Sequence, residues 1–218
     1  MPPVVLRHFR SDDVLTHLRG EDNAISKWLS GGVSTEESVM HWIRSNEENW
    51  ASDGPRFAFA IQTPDGELVG MCEINVDYLH FAGLDPGDAN VSYGLYPRFR
   101  GRGLATSALL TVRDFMVAKG VKRAVIRIEP ENVASVRLAN RAGYSQTGVV
   151  FNGVGTEYLM FVDDLTKVSD REKGATGWPQ CDFSTRRMVV VGPPPLLFAV
   201  VTRLVTLQSQ TERVTHGV

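Results

Sequence analysis

The sequence has few of the features that mark specialised classes of protein. Only two of its 218 residues are cysteines, Cys72 and Cys181. That is too few for a disulfide scaffold or a zinc site built on cysteine pairs, so we expect a cytoplasmic protein. The formal net charge is only −2, which argues against nucleic-acid binding through a broad basic surface.

Signals for membranes and metals are also missing. The most apolar stretch, residues 188–201, is short and is interrupted by three consecutive prolines, whereas a spanning helix needs about 20 apolar residues. The first 13 residues lack the charged start and apolar run of a signal peptide. The five histidines have no ligand spacing, so no metal is expected.

Apolar periodicity predicts a mixed α+β fold. Apolar and polar residues alternate where strands are expected, and apolar residues recur every three or four positions where helices are expected. Ser34 and Glu37 have the spacing of a capping box, which predicts a helix start. The predicted strands are residues 3–10, 56–63, 67–78, 88–96, 122–129, 144–151 and 156–162. The predicted helices are residues 12–19, one beginning at the capping box, one from Leu104 to Gly120, and 132–142.

The most informative segment, residues 98–106, lies between a predicted strand and a predicted helix. Gly101 and Gly103 would let the backbone approach a phosphate closely, and the amides of a helix start attract anions. The three arginines of the segment add positive charge in a geometry suited to phosphate. The segment therefore predicts a pyrophosphate site. Neither the third glycine of a dinucleotide fingerprint nor the Gly-Lys-Ser/Thr of a P-loop is present.

Two patterns resemble one family. Arg98-x-x-Gly101-x-Gly103 is similar to the CoA-pyrophosphate motif of the GNAT superfamily of acyl-CoA N-acyltransferases. Residues 132–144 resemble the N-x-x-S-x7-G-[FY] helix of the branch that contains the ribosomal-protein alanine acetyltransferases. The resemblance covers about residues 3–163. It implies the GNAT fold, with splayed central strands, helices on both faces of a mixed sheet, and a bulge near Gly94.

The resemblance also implies a binding site for acetyl-CoA. The amide near Leu95 would polarise the thioester carbonyl, the amides of residues 100–106 would hold the pyrophosphate, and Asn132 would contact the pantetheine arm while also capping its helix. The residues implied in cofactor binding are Leu95, Tyr96, Arg98, Arg100, Gly101, Arg102, Gly103, Leu104, Ala105, Thr106 and Asn132.

The implied reaction is direct acetyl transfer to a primary amine through a tetrahedral intermediate. Ser135 would protonate the departing thiolate. A carboxylate would assist deprotonation of the amine, because amines are mostly protonated at neutral pH. Glu73 and Glu157 are equal candidates for this base, and Glu129 ranks below them.

Alternatives stay open at this point. One is a non-catalytic acyl-CoA-binding module, and a less favoured one is a Rossmann-type oxidoreductase. The expected partners are acyl-CoA and an amine acceptor, with no nucleic acid and no membrane. Residues 1–165 would form the acetyltransferase domain and residues 166–218 an extension, either disordered or forming a homodimer. Within this extension residues 186–191 and 196–207 are candidate strands.

Overall fold

Alternating apolar and polar residues build a single mixed sheet in the computed structural model, which describes residues 1–167 and 187–190. Each strand predicted within residues 1–167 is present, with ends that differ by a few residues from the prediction. The strands are β1 Val4–His8, β2 Arg56–Gln62, β3 Leu68–Asn75, β4 Asp88–Leu95, β5 Arg123–Ile128, β6 Ser145–Phe151, β7 Glu157–Asp164 and β8 Arg187–Val190.

The sheet order is β6-β7-β5-β4-β3-β2-β1-β8, and only the central pair β4 and β5 is parallel. These two strands pair over just three residues each, Asp88–Asn90 with Arg123–Val125. Arg123 donates to both carboxylate oxygens of Asp88, at 2.7 and 2.5 Å. This ion pair joins the strands at one end, and beyond it they separate, as the resemblance implied.

Five α-helices accompany the sheet in the described residues. They are α1 Val14–Gly20, α2 Asn23–Ile25, α3 Glu36–Ala51, α4 Leu104–Ala118 and α5 Val133–Arg141. A wider turn, Ser26–Ser30, extends α2, and neither of these two segments was predicted. The predicted cap of α3 is wrong by one residue. Thr35 accepts a hydrogen bond from the Ser38 amide, whereas the Ser34 hydroxyl donates to Glu21 instead.

Helices cover both faces of the sheet, as expected. Phe57 and Phe59 of β2 pack against Phe115 of α4, with ring centroids 5.0 and 5.2 Å apart. Glu73 of β3 lies opposite Ala58, which is between those two phenylalanines, and so faces the other way, towards Trp42 of α3. The α+β fold class is therefore confirmed.

The extension after residue 165 contributes one strand to the described part of the protein. β8 pairs antiparallel with β1, from Val4 opposite Val190 to Arg7 opposite Arg187. The predicted strand at residues 186–191 is thus confirmed in a shorter form. The predicted strand at 196–207 and Cys181 lie outside the described residues.

Candidate active site

The separation of β4 from β5 opens a cavity of about 950 Å³. Its walls come from both strands, the loop before α4, the first turns of α5, and the segment from α2 to Leu29. Nine of the residues proposed from the sequence line it: Leu95, Arg100, Gly101, Gly103, Ala105, Thr106, Glu129, Asn132 and Ser135. The structure therefore brings the two sequence patterns together around one slot.

The loop before α4 has the conformation expected of an anion cradle. Gly101 and Gly103 both adopt the left-handed region, at φ 75° and 79°, where a side chain would be strained. Leu104 begins the helix, and the Ser107 amide makes an early helical bond to the Gly103 carbonyl. The amides of Leu104, Ala105 and Thr106 precede that bond, so they belong to the helix terminus that attracts anions.

Two of the three arginines in this loop already have acidic partners. Arg98 forms an ion pair with Glu67. Arg100 contacts both carboxylate oxygens of Asp22, at 2.7 and 2.8 Å, and this lowers the pKa of Asp22 to about 2. Arg102 lies over the Phe99 ring, outside the cavity lining. Arg100 thus joins the loop to α2, and the anion-binding groups that face the cavity are chiefly backbone amides.

The backbone of β4 is directed into the slot near Leu95. The amide of Tyr96 donates to the Val69 carbonyl of β3. Because amide directions alternate along a strand, the Leu95 amide points to the opposite edge, from which β5 has departed. The neighbouring Leu95 carbonyl accepts from Arg100 Nε at 2.8 Å.

The expected bulge near Gly94 is wrong. β3 and β4 pair without a register shift from Gly70 opposite Leu95 to Asn75 opposite Asn90. The structure gives another reason for glycine at position 94: a β-carbon there would lie 2.5 Å from Leu29 Cδ1. The residue allows the segment after α2 to pack directly on β4.

Ser135 has a hydroxyl partner that the sequence analysis missed. Its Oγ lies 2.6 Å from the Tyr93 hydroxyl of β4. Asn132 caps α5 by accepting the Ser135 amide, which confirms the capping role. Burial raises the pKa of Tyr93 to about 12, so its phenol keeps its proton. The signal was present in the sequence, since Tyr93 and Leu95 alternate onto one face of β4.

The three candidate carboxylates have different surroundings. Glu129 lines the cavity. Glu73 is mostly buried beneath α3, outside the lining, and burial raises its pKa despite a hydrogen bond from Trp42 and the charge of Arg56. Glu157 begins β7, is exposed, and is also outside the lining. The structure therefore places the lowest-ranked candidate in the cavity wall. Glu73 lies one strand away, opposite the lining residue Ser92, and Glu157 is outside the wall.

Tyr96 and Leu104 belong to the core. The Tyr96 hydroxyl bonds to His17 Nδ1 at 2.9 Å, and its ring packs so closely that a β-carbon on Gly20 would lie 2.4 Å from it. Leu104 is 5% exposed. These two side chains are buried behind the cavity wall and do not line the cavity.

Other groups in the described residues offer no competing chemistry. Cys72 is buried, as predicted, and burial raises its pKa to about 12, so it remains a thiol. Among residues 1–167 and 187–190, no three His, Cys, Asp or Glu side chains cluster as metal ligands. No helix in this part of the chain is long and apolar enough to cross a membrane.

This architecture, with parallel strands that diverge beside a glycine-started helix, is that of an acyl-CoA-dependent transferase. Residues 4–145 match the family model described as the acetyltransferase (GNAT) domain. The match covers well over half of the chain. The chain therefore belongs to this family, and it is an N-acetyltransferase.

Two curated relatives are also named as acetyltransferases. The uncharacterized N-acetyltransferase YdgE of Bacillus subtilis (strain 168) is 28% identical over 126 residues, which are 56% of this chain and 78% of that protein. The acetyltransferase plu1384 of Photorhabdus laumondii is 23% identical over 156 residues, which are 67% of this chain and 92% of the relative.

Solved structures share the fold. The aminoglycoside acetyltransferase AAC(6′)-Ib, in complex with paromomycin and acetyl-CoA, has a TM-score of 0.64 at 18% identity over 77% of this chain and 97% of its own. RimL, the ribosomal L7/L12 α-N-protein acetyltransferase in complex with coenzyme A, has a TM-score of 0.62 at 18% identity over 75% and 95%. The spermidine N-acetyltransferase of Vibrio cholerae, with CoA and spermine, has a TM-score of 0.61 at 15% identity over 75% and 96%.

Proposed function

We propose that the protein transfers an acetyl group from acetyl-CoA to a primary amine, with acetyl-CoA bound in the cavity between β4 and β5. The observation that carries the proposal is the meeting of three features in one slot: the glycine-started helix α4, the diverging strands, and the Ser135–Tyr93 hydroxyl pair. Together they offer an anion site for the pyrophosphate, space for the pantetheine arm and a proton donor near the thioester.

The residues present fit this cosubstrate. Gly101 has open space around the position of a β-carbon, so the backbone at the helix start is accessible to a bulky phosphate group. The amides of residues 104–106 would hold the pyrophosphate there. The slot continues from this loop past Leu95 to Asn132 and Ser135, which all line the same cavity, and this is room for an extended pantetheine arm.

Two groups would act on the reacting thioester, which supplies an activated carbonyl carbon when bound. The Leu95 amide points into the slot and would donate a hydrogen bond to the carbonyl oxygen, most strongly as negative charge develops on it. Ser135 would supply a proton to the departing sulfur. Tyr93 would support this transfer, since its protonated phenol lies within hydrogen-bond distance of the Ser135 hydroxyl.

Glu129 is our choice for the carboxylate that accepts the proton of the attacking amine. It is the one of the three candidates that lines the cavity, and it follows β5 directly, beside the split between the strands. Glu73 lies beneath α3 and Glu157 on the exposed start of β7, so neither reaches the slot directly.

The acetyltransferase domain of this proposal spans residues 1–165, and residues 166–218 form an extension to it. Within the described residues, the cavity lining runs from Ala24 to Tyr158. A non-catalytic acyl-CoA-binding module is the second possibility from the sequence, but the hydroxyl pair at the slot favours an enzyme.

The test is the release of free thiol from acetyl-CoA in the presence of a panel of amines. We expect amine-dependent release, and we expect Ser135→Ala to lower kcat by about a hundredfold with little change in the KM for acetyl-CoA, because the proton donor is lost while the binding surface remains. Ser145→Ala, at an exposed position on β6, is the control.

Two results would overturn the proposal. If CoA does not raise the melting temperature of the protein, the cavity does not bind CoA. CoA binding without thiol release against any amine would favour the non-catalytic module.

A further inference from the structure

An arginine in the middle of a buried strand faces the cavity. Arg127 of β5 lies between Ile126 and Ile128, each of which is 3% exposed. Because successive side chains of a strand point to opposite faces, Arg127 is directed away from the face on which those isoleucines pack. Its side chain lines the cavity between β4 and β5, and the sequence analysis did not identify it.

The neighbours of Arg127 hold its guanidinium in a defined place. Its central carbon lies 4.7 Å from the Phe81 ring centroid and 5.0 Å from that of Tyr158. Its Nε donates to Asn90 Oδ1 of β4 at 3.2 Å. Stacking on aromatic rings and one anchoring hydrogen bond orient the planar group while leaving its two terminal nitrogens as donors.

The charge of Arg127 has no anionic partner in the part of the chain that the structure describes. No carboxylate lies within ion-pair distance of it there, and its terminal nitrogens have no hydrogen-bond acceptor. By contrast, Arg100 and Arg123 each contact an aspartate. A half-buried guanidinium is costly to leave unpaired, so the arrangement suits a site whose anion arrives with a ligand.

Arg127 and the proposed proton donor lie on opposite faces of the sheet. Asn90, which contacts Arg127, and Tyr93, which contacts Ser135, are three positions apart on β4 and so point in opposite directions. The thioester sulfur would be near Ser135. An anion at Arg127 would therefore be part of the acceptor that enters from the other face.

A carboxylate follows this cation closely along the chain. Glu129, two residues beyond Arg127 and just past the end of β5, also lines the cavity. An acceptor with an amine and a carboxylate attached to the same carbon would place its ammonium group near Glu129 and its carboxylate on Arg127. A polyamine or an aminoglycoside has no group that would compensate the charge of Arg127.

We propose that Arg127 binds the carboxylate of the acceptor, and that the acceptor is a small amino acid whose amine is acetylated. The planar fork of a guanidinium matches the two oxygens of a carboxylate. This inference rests on the proposed function, because it assigns the substrate class of the same site.

The test compares acceptors with and without a carboxylate. Thiol release is measured with free L-amino acids, with their carboxamides, and with spermidine. For the preferred amino acid, we expect a KM at least about tenfold below that of its carboxamide, the size of a charge-assisted hydrogen bond. Arg127→Met should abolish this difference. Arg127→Lys should weaken it, since the charge remains while the bidentate geometry is lost. The exposed Arg44→Gln on α3 is the matched control.

A binding measurement separates this inference from the proposed function. By titration calorimetry with CoA present, the N-acetyl derivative of that amino acid should bind more tightly than its N-acetyl carboxamide, and only when Arg127 is intact. If this binding preference is observed but no thiol is released, the proposal of acetyl transfer is rejected while that of the carboxylate subsite is supported. Three results would overturn the proposed carboxylate subsite. They are equal binding of the two derivatives, a preference for spermidine as acceptor, and an unchanged preference for the carboxylate in Arg127→Lys and Arg127→Met. Arg127→Lys keeps the test valid if Arg127→Met does not fold.

Discussion

At the residue scale, single side chains in this enzyme serve the fold and the site together. Asn132 caps α5 through the Ser135 amide, and the same turn presents the Ser135 hydroxyl to Tyr93. Arg100 ties the Leu95 carbonyl to Asp22, so it fixes the loop before α4 against the segment that covers β4. These bonds differ in range. The Asn132 cap lies within one helical turn and was predicted, whereas the partners of Ser135 and Arg100 lie 42 and 78 positions away and were not.

The first prediction concerns Glu73, whose pKa is raised because burial disfavours its charged form. A carboxyl with a raised folded-state pKa contributes stability that is fully present below its unfolded pKa and is lost as the pH rises through the folded value. Glu73→Gln removes this penalty. Its free energy of unfolding relative to the parent chain should therefore increase from pH 4 to pH 8.

Urea unfolding at several pH values measures this difference, with the exposed Glu37→Gln on α3 as the control. A difference between Glu73→Gln and the parent chain that is constant with pH, or that shrinks as the pH rises, would contradict the prediction.

At the scale of elements, the site depends on how closely segments approach one another. The segment after α2 packs on β4 because Gly94 leaves room for Leu29. β3 and β4 also approach each other closely at Gly70, where a β-carbon would lie 2.1 Å from the Gly94 carbonyl oxygen. Backbone cannot move aside as a flexible side chain can, so this contact sets the position of the strand that bears Leu95.

Gly70→Ala should therefore destabilise the protein, by about 1–3 kcal/mol, which is typical of overpacking. It should also weaken CoA binding, because β4 must shift to accommodate the methyl group. Gly32→Ala is the matched control, since it has open space and needs no positive φ. Thermal unfolding with and without CoA measures both effects. Equal stability of the two variants would show that the contact is not tight.

At the scale of the whole molecule, the described strand of the extension, β8, adds an edge to the sheet and is not part of the cavity wall. β8 covers the edge of β1 by antiparallel pairing, on the far side of three strands from the slot between β4 and β5. An uncovered strand edge tends to pair with another chain.

A chain ending at residue 167 should retain CoA-induced thermal stabilisation, since its cavity lining is intact. It should also have a lower melting temperature and associate more in sedimentation experiments, because the edge of β1 is exposed. A chain ending at residue 191 keeps β8 and serves as the comparison. Loss of CoA binding in the shorter chain alone would contradict the assignment of residues 1–165 as the catalytic domain.

The sequence by itself determined the strands and longer helices of the domain and the cradle at Gly101 and Gly103. Periodicity and glycine conformation are local properties, and they are readable along the chain. It did not reveal α2, the exact cap of α3, or the partners of Arg98 and Arg100, because short helices and ion pairs depend on residues distant in sequence.

Only the tertiary structure decided which chemical groups share the slot. Tyr93 and Ser135 are 42 positions apart, yet they meet because β4 and α5 flank the same opening. Glu129 enters the cavity while Glu73 and Glu157 do not, because the divergence of β4 from β5 selects which strand ends border the split. These contacts depend on how β4, β5 and α5 pack together, and that packing involves segments far apart in sequence.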